Sequence, residues 1–177
     1  MESCTANALC TAWRYAQARV DPGFTPSRLF LYYNERKVEG KEHQDAGVFI
    51  GHGCRSLATF GVCSEQTWPY EKRNELTHPP QYAYDEATQH VIHSPTQIPE
   101  NIDHLKYSLA EHKPFVVGIE LYPGFHSDNT RETGYVPMPL PGRVSTGGHA
   151  VLCVGYDDSR GVWIFRNSWG LGWGDHG

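Results

Sequence analysis

Apolar residues in the first third of the chain recur at spacings of three and four. Ala6, Leu9, Trp13, Ala16 and Val20 form one such stripe and predict a helix from about Cys4 to Val20. Asp21-Pro22-Gly23 would stop it. A second helix is expected after Pro26, with Ser27 near its cap and Leu29, Phe30 and Tyr33 along it. A third covers about Val48 to Phe60, with Ile50, Cys54 and Leu57 inward and Gly61 as its stop. From Trp68 to Pro80 the prolines Pro69, Pro79 and Pro80 disfavour regular structure.

The rhythm changes near Gln89. Gln89 to His93 reads as a short strand, and Pro99 to His112 as a helix with Ile102, Leu105 and Leu109 at helical spacing. Phe115 to Leu121 is a strand. His149 to Tyr156 and Val162 to Arg166 are two more, joined by Asp157-Asp158-Ser159 and Gly161. Between Pro123 and Gly147 lies a long Gly/Pro-rich loop of the kind that carries binding surface. Helices first and strands later predict an α+β protein with two lobes, a helical one over residues 1–88 and a β-rich one over 89–177.

Composition narrows the classes. A chain of 177 residues with 39% hydrophobic content can bury a sizeable core. Its net charge of −5 and the lack of any basic run argue against a nucleic-acid partner. No stretch approaches the ~18 apolar residues of a membrane span, and the start has no signal-peptide pattern. The five cysteines contain no C-x-x-C pair, so neither a zinc knuckle nor a disulfide framework is expected. Cys10 and Cys153 lie in apolar surroundings and read as buried small hydrophobes. Cys54 and Cys63 either pair or remain free thiols. His90 and His93 have no carboxylate or thiol at ligand spacing, so no metal and no cofactor is expected.

The candidate chemistry lies at the two ends. Cys4 opens the first predicted helix, where free N–H groups and the helix dipole favour a thiolate. Gly147-Gly148-His149-Ala150-Val151 and Arg166-Asn167-Ser168-Trp169-Gly170 follow far downstream. A Cys, a His and an Asn in that order suit nucleophilic catalysis: thiolate, base and a neutral group to orient the imidazole.

The C-terminal block, from Gly147 through Trp169-Gly170 to Gly172-Trp173-Gly174, resembles the papain-like cysteine peptidases. Ser3-Cys4-Thr5-Ala6-Asn7-Ala8 is similar to a variant branch of that family with Thr after the nucleophile, and Gly61-Val62-Cys63-Ser64-Glu65 with Trp68-Pro69-Tyr70 resembles its middle segment. The resemblance implies a two-lobed fold with the site in the cleft between a helical and an antiparallel β lobe. It implies Cys4 as nucleophile, His149 as base and then acid, and Asn167 as the group orienting His149. Trp169 would shield the Asn–His bond, Ala46 and Gly47 of Asp45-Ala46-Gly47 would form a wall for extended substrate backbone, and Gly148 would line the cleft. It also implies a peptide or protein substrate, and a propeptide or protein inhibitor as partner.

Three departures from the family pattern shape the expectations. Met1-Glu2-Ser3 carry no Gln to complete an oxyanion hole, and losing one such donor costs on the order of 10²–10³ in rate. Glu2 places a carboxylate close to the nucleophile, where it works against the thiolate. Asp175-His176-Gly177 comes before the family's last strands. The leading expectation is therefore a peptidase working through a thioester. Its rival is a catalytically weak or inactive papain-like module that binds peptide or protein partners, and acyl transfer by the same triad is a third.

Overall fold

The computed structural model describes residues 1–177. Its first helix, α1 (Cys4–Gln17), buries Thr5, Ala6, Leu9, Cys10 and Trp13. It ends three residues earlier than expected. The Val20 and Asp21 N–H groups both turn back to the Gln17 carbonyl, each at 2.9 Å, so Ala16 and Val20 sit exposed beyond the packed stripe.

Helix α2 (Arg28–Val38) is the centre of the helical layer, with every residue from Leu29 to Arg36 buried. A helix buried all round must be fixed at its end. Ser27 does this by accepting the Phe30 N–H at 3.0 Å and donating to the Trp68 carbonyl at 2.6 Å. Helix α3 (Ile50–Thr59) packs across α2 and stops at Gly61, whose φ is +71°. A Cβ there would meet the Ala87 carbonyl oxygen at 1.9 Å. Both the turn and the close approach therefore require glycine.

Two stretches differ from the sequence expectation. Pro79 and Pro80 do not end regular structure but precede a short helix, α4 (Gln81–Ala87), with Pro80 at its N-cap. Proline is tolerated there because the first-turn N–H groups lack intrahelical partners anyway. Gln89 to His93 is not a strand. The His90 carbonyl takes one N–H from Val62 and Ile92 gives one to Leu57, with no ladder. The His90 ring instead stacks on Phe24, centroids 3.9 Å apart.

Helix α5 (Ile102–Ala110) is capped by Asn101 and lies on the surface. Strands β1 (Phe115–Leu121), β2 (Gly147–Asp157) and β3 (Val162–Arg166) form an antiparallel sheet in that order. Ile119 faces His149 across β1–β2, and a bulge between Cys153 and Gly155 interrupts β2–β3. The long segment after β1 is more ordered than its Gly and Pro content suggests. It holds a 3-10 turn (Pro123–His126) and helix α6 (Asp128–Thr133), which Ser127 caps. The architecture is α+β, as expected. Helix α1 has α2 and α3 on one side and β2 on the other. All five cysteines are free, so Cys54 and Cys63 do not pair.

Candidate active site

The site is assembled where α1 meets β2. Cys4 is the first residue of α1, so its own N–H and those of the next two residues have no intrahelical acceptor. Ser3, at the N-cap, does not cap them. Its hydroxyl is bound to Tyr70 Oη, and Asn7 Nδ2 donates to its carbonyl at 2.9 Å. The positive end of α1 is thus left for another negative group. Thr5 points away from the site and donates to the Val48 carbonyl at 2.8 Å.

His149 enters from β2 and is buried. Its Nε2 lies 2.8 Å from Asn167 Oδ1. The Ser168 N–H donates to that same oxygen at 2.8 Å, so Oδ1 is the acceptor and Nε2 carries the proton. Nδ1 is then the nitrogen free to face the thiol. Asn167 follows directly after β3, and its backbone N–H donates to the Gly177 carbonyl at 2.9 Å. One strand thus presents the imidazole and its neighbour presents the group that orients it.

Electrostatics couple Cys4 to His149. Burial pushes the Cys4 thiol up. Hydrogen bonding to His149, the Ala150 backbone and the charge on His149 outweigh burial, and the thiol ends below its ordinary value. Burial likewise pushes the His149 imidazolium down. Its hydrogen bonds to Cys4 and Asn167 win, and it ends above its ordinary value. Each charged form stabilises the other, as in a thiolate–imidazolium pair.

An aromatic shell closes over the imidazole. The Trp169 ring stands 5.3 Å from that of His149 and the Phe125 ring 5.9 Å. Trp173 stacks on Phe125 at 5.4 Å. Phe125 was not singled out from sequence. It lies in the segment read as loop, and only its tertiary contacts reveal it.

Asp45-Ala46-Gly47 is held beside the nucleophile segment. Tyr32 Oη donates to Asp45 Oδ1 at 2.5 Å, and the Glu2 N–H donates to the same oxygen at 2.8 Å. Glu2 corrects an expectation. Its carboxylate turns to the wall and accepts the Gly47 N–H at 3.0 Å, so the charge is not directed at the thiol. Ala46 is half-buried, while Gly47 and Gly148 are exposed. A Cβ on Gly148 would meet nothing within 4 Å, so the space beside it is open. Gln17, at the far end of α1, is ~20 Å along the helix from Cys4 and cannot serve as an oxyanion donor. A cavity of about 740 Å³ lies between α1 and β2–β3, bordered by Asn7, Arg14, Leu152 and Asn167. It does not include Cys4. No group of three or more His, Cys, Asp or Glu is placed to hold a metal. No helix is long and apolar enough to cross a membrane.

Known proteins resemble the chain over its whole length. The family profile described as papain family cysteine protease matches residues 42–177. An uncharacterized peptidase C1-like protein of Acanthamoeba polyphaga mimivirus is 37% identical over 99% of this chain and 60% of its own length. The thiol protease aleurain of Arabidopsis thaliana is 27% identical over 75% of this chain and 39% of its own. The chain thus spans less than two thirds of the length of each of these relatives. Among solved structures, xylellain, a cysteine protease from Xylella fastidiosa, is 39% identical. It superposes with a TM-score of 0.90 over 99% of this chain and 70% of its own. The Carica candamarcensis protease CMS1MS2, solved in complex with E-64, shares the fold at 23% identity and a TM-score of 0.66. By sequence over most of its length and by fold over nearly all of it, the chain belongs to the papain family of cysteine proteases.

Proposed function

We propose that this chain hydrolyses peptide bonds through a Cys4–His149–Asn167 triad. The observation that carries the reading is the His149–Asn167 bond at 2.8 Å with Nδ1 left for the Cys4 thiol. Cys4 Sγ attacks the scissile carbonyl carbon and the carbonyl oxygen becomes an oxyanion. The Cys4 backbone N–H, free at the helix start, is one donor to it. The C–N bond then breaks as His149 Nδ1 gives its proton to the leaving amine, and a thioester remains on Cys4. Water, deprotonated by His149, attacks the thioester and releases the acid. Asn167 holds the ring and transfers no proton.

In this reading residues 1–88 and 89–177 are the two lobes. Ala46 and Gly47 bind extended substrate backbone, Gly148 lines the cleft beside His149, and Trp169 shields the triad. The substrate is a peptide or protein, and a propeptide or protein inhibitor is a partner of the same cleft. A second reading, a weakly catalytic peptide-binding module, is favoured by one contact. Glu2 already holds the Gly47 N–H, so a substrate must displace it.

The test is labelling with an E-64-type thiol inhibitor beside hydrolysis of a peptide library, with Cys4→Ala as control. Labelling at Cys4 together with hydrolysis is the expected result. Labelling without hydrolysis selects the binding module. No labelling of folded protein at Cys4 overturns the peptidase reading.

A further inference from the structure

Glu35 has no part in the chemistry above, yet it lies directly beneath it. It is on α2, wholly buried at 0% exposure. Neither carboxyl oxygen has a hydrogen-bond partner. A Cβ built on Gly53 of α3 would come within 2.9 Å of Glu35 Oε2, 3.2 Å of Thr5 Cγ2 and 2.4 Å of Leu9 Cδ1. The carboxyl is therefore wedged where α1, α2 and α3 converge, under the turn that begins with Cys4. The Ala6 N–H of that turn acts on the carboxyl and lowers it in part, without forming a full hydrogen bond.

No cation is hydrogen-bonded to it, although the Arg36 charge draws its titration down in part. The adjacent Arg36 turns its guanidinium to the carbonyls of Tyr32, Gln44 and Glu75. The titratable groups that act on Glu35 are Cys4 and Cys10 from α1, Cys54 from α3, and Arg36 and Glu39 from its own side. Three of these five are thiols. An isolated buried carboxylate costs many kcal/mol, so such a group keeps its proton instead.

We propose that Glu35 is a positioning residue for the nucleophile: an uncharged carboxyl that fills the junction under the first turn of α1 and leaves the positive end of that helix to the Cys4 thiolate alone. The proposal rests on the reading of Cys4 as nucleophile. Its logic is competition for one negative charge. A carboxylate and a thiolate at one helix start repel each other, and only the thiolate has His149 as counter-charge. Burial first, and the Cys4 charge second, push the Glu35 carboxyl well above its usual range.

Infrared spectroscopy and alkylation together test this. Wild type at neutral pH should show the carbonyl band of a protonated carboxylic acid, and Glu35→Gln should lack it. Alkylating Cys4 with iodoacetamide removes the thiolate, so the wild-type band should then titrate away at lower pH. Glu35→Gln replaces one neutral group by another. Its Cys4 alkylation rate at mildly acid pH, read on the Cys4 peptide by mass, should stay within about threefold of wild type. Were Glu35 a carboxylate, removing its charge would speed that rate on the order of tenfold. Such acceleration overturns the proposal, as does absence of the band from wild type, or a band whose titration ignores alkylation of Cys4. The wild-type measurements decide the matter even where the variant does not fold. Failure of the nucleophile reading looks different: Cys4 then alkylates no faster than an ordinary thiol while the band is still present.

Discussion

A half-buried thiol at the start of a helix is pulled in two directions, and here the outcome hangs on one neighbour. Burial alone would leave Cys4 protonated; His149 reverses that. In His149→Ala only the upward pull and the weak backbone donors remain, so the pH of half-maximal iodoacetamide reaction at Cys4 should move upward. A profile that stays in place would show that the helix start alone activates the thiol. The imidazolium, held above its usual range, gives the complementary limit. Peptidase activity should rise as the thiol ionises and fall as pH passes the raised imidazolium value. Cys4→Ala and His149→Ala should each abolish turnover, because nucleophile and base act as a unit. Asn167→Ala removes the acceptor for Nε2 but no proton-transfer group. Its kcat should fall on the order of 10–100-fold, without loss of melting temperature beyond a few degrees.

Elements meet closely here only where a side chain is missing. Gly53→Ala should gain about 1 kcal/mol of helix propensity. It also drives a methyl to 2.4 Å from Leu9 Cδ1 and 2.9 Å from Glu35 Oε2, an overpacking worth about 1–3 kcal/mol. The net change should be destabilising, and denaturant unfolding measures it. Gly61→Ala is worse, since backbone oxygen cannot step aside as a leucine methyl can. It should cost more than about 2 kcal/mol, combining left-handed strain with the clash. Neither requirement is visible from sequence, although Gly61 is legible as a helix stop. The helical stripe of Ala6, Leu9 and Trp13 was legible because it buries one face at the helical period. The strands at 115–121 and 162–166 were legible because each is a short run rich in β-branched and aromatic residues, although β3 itself buries no residue. Val20 misled because a matching interval says nothing of whether a partner surface reaches that far. Gln89–His93 misled because a short segment is settled by tertiary contacts, here the Phe24 ring. Cys4, His149 and Asn167 were legible as candidates because the chemistry demands those side chains. Phe125 and Glu35 were not, since any sequence holds many such residues and only packing distinguishes these two.

At the scale of the whole molecule, the helical layer and the Asp45–Gly47 segment proposed as the substrate wall are tied together through buried Arg36. Arg36 reaches the carbonyls of Tyr32, Gln44 and Glu75 and lies over the Tyr32 ring at 3.9 Å. Tyr32 in turn holds Asp45. Arg36→Met keeps much of the volume but strands three carbonyls. It should cost on the order of 3 kcal/mol and raise KM more than it lowers kcat, because the wall loosens while the triad is untouched. Substrate titration of the folded variant separates the two. The contact between Trp169 and His149 has a consequence of another kind. Of the five tryptophans, only Trp169 has its ring packed on the His149 imidazole. A protonated imidazole against an indole accepts its excited electron and dims its emission. The protein therefore carries an optical gauge of the His149 imidazole. Trp169 also stacks on His126 at 5.6 Å, so the comparison is made with His126→Phe as background. There the fluorescence lost in Trp169→Phe should brighten as His149 gives up its proton, and it should show no such step once His149→Ala is added. A time trace of that signal after mixing with peptide would follow the imidazole's proton through acylation and deacylation, with no label added to either molecule.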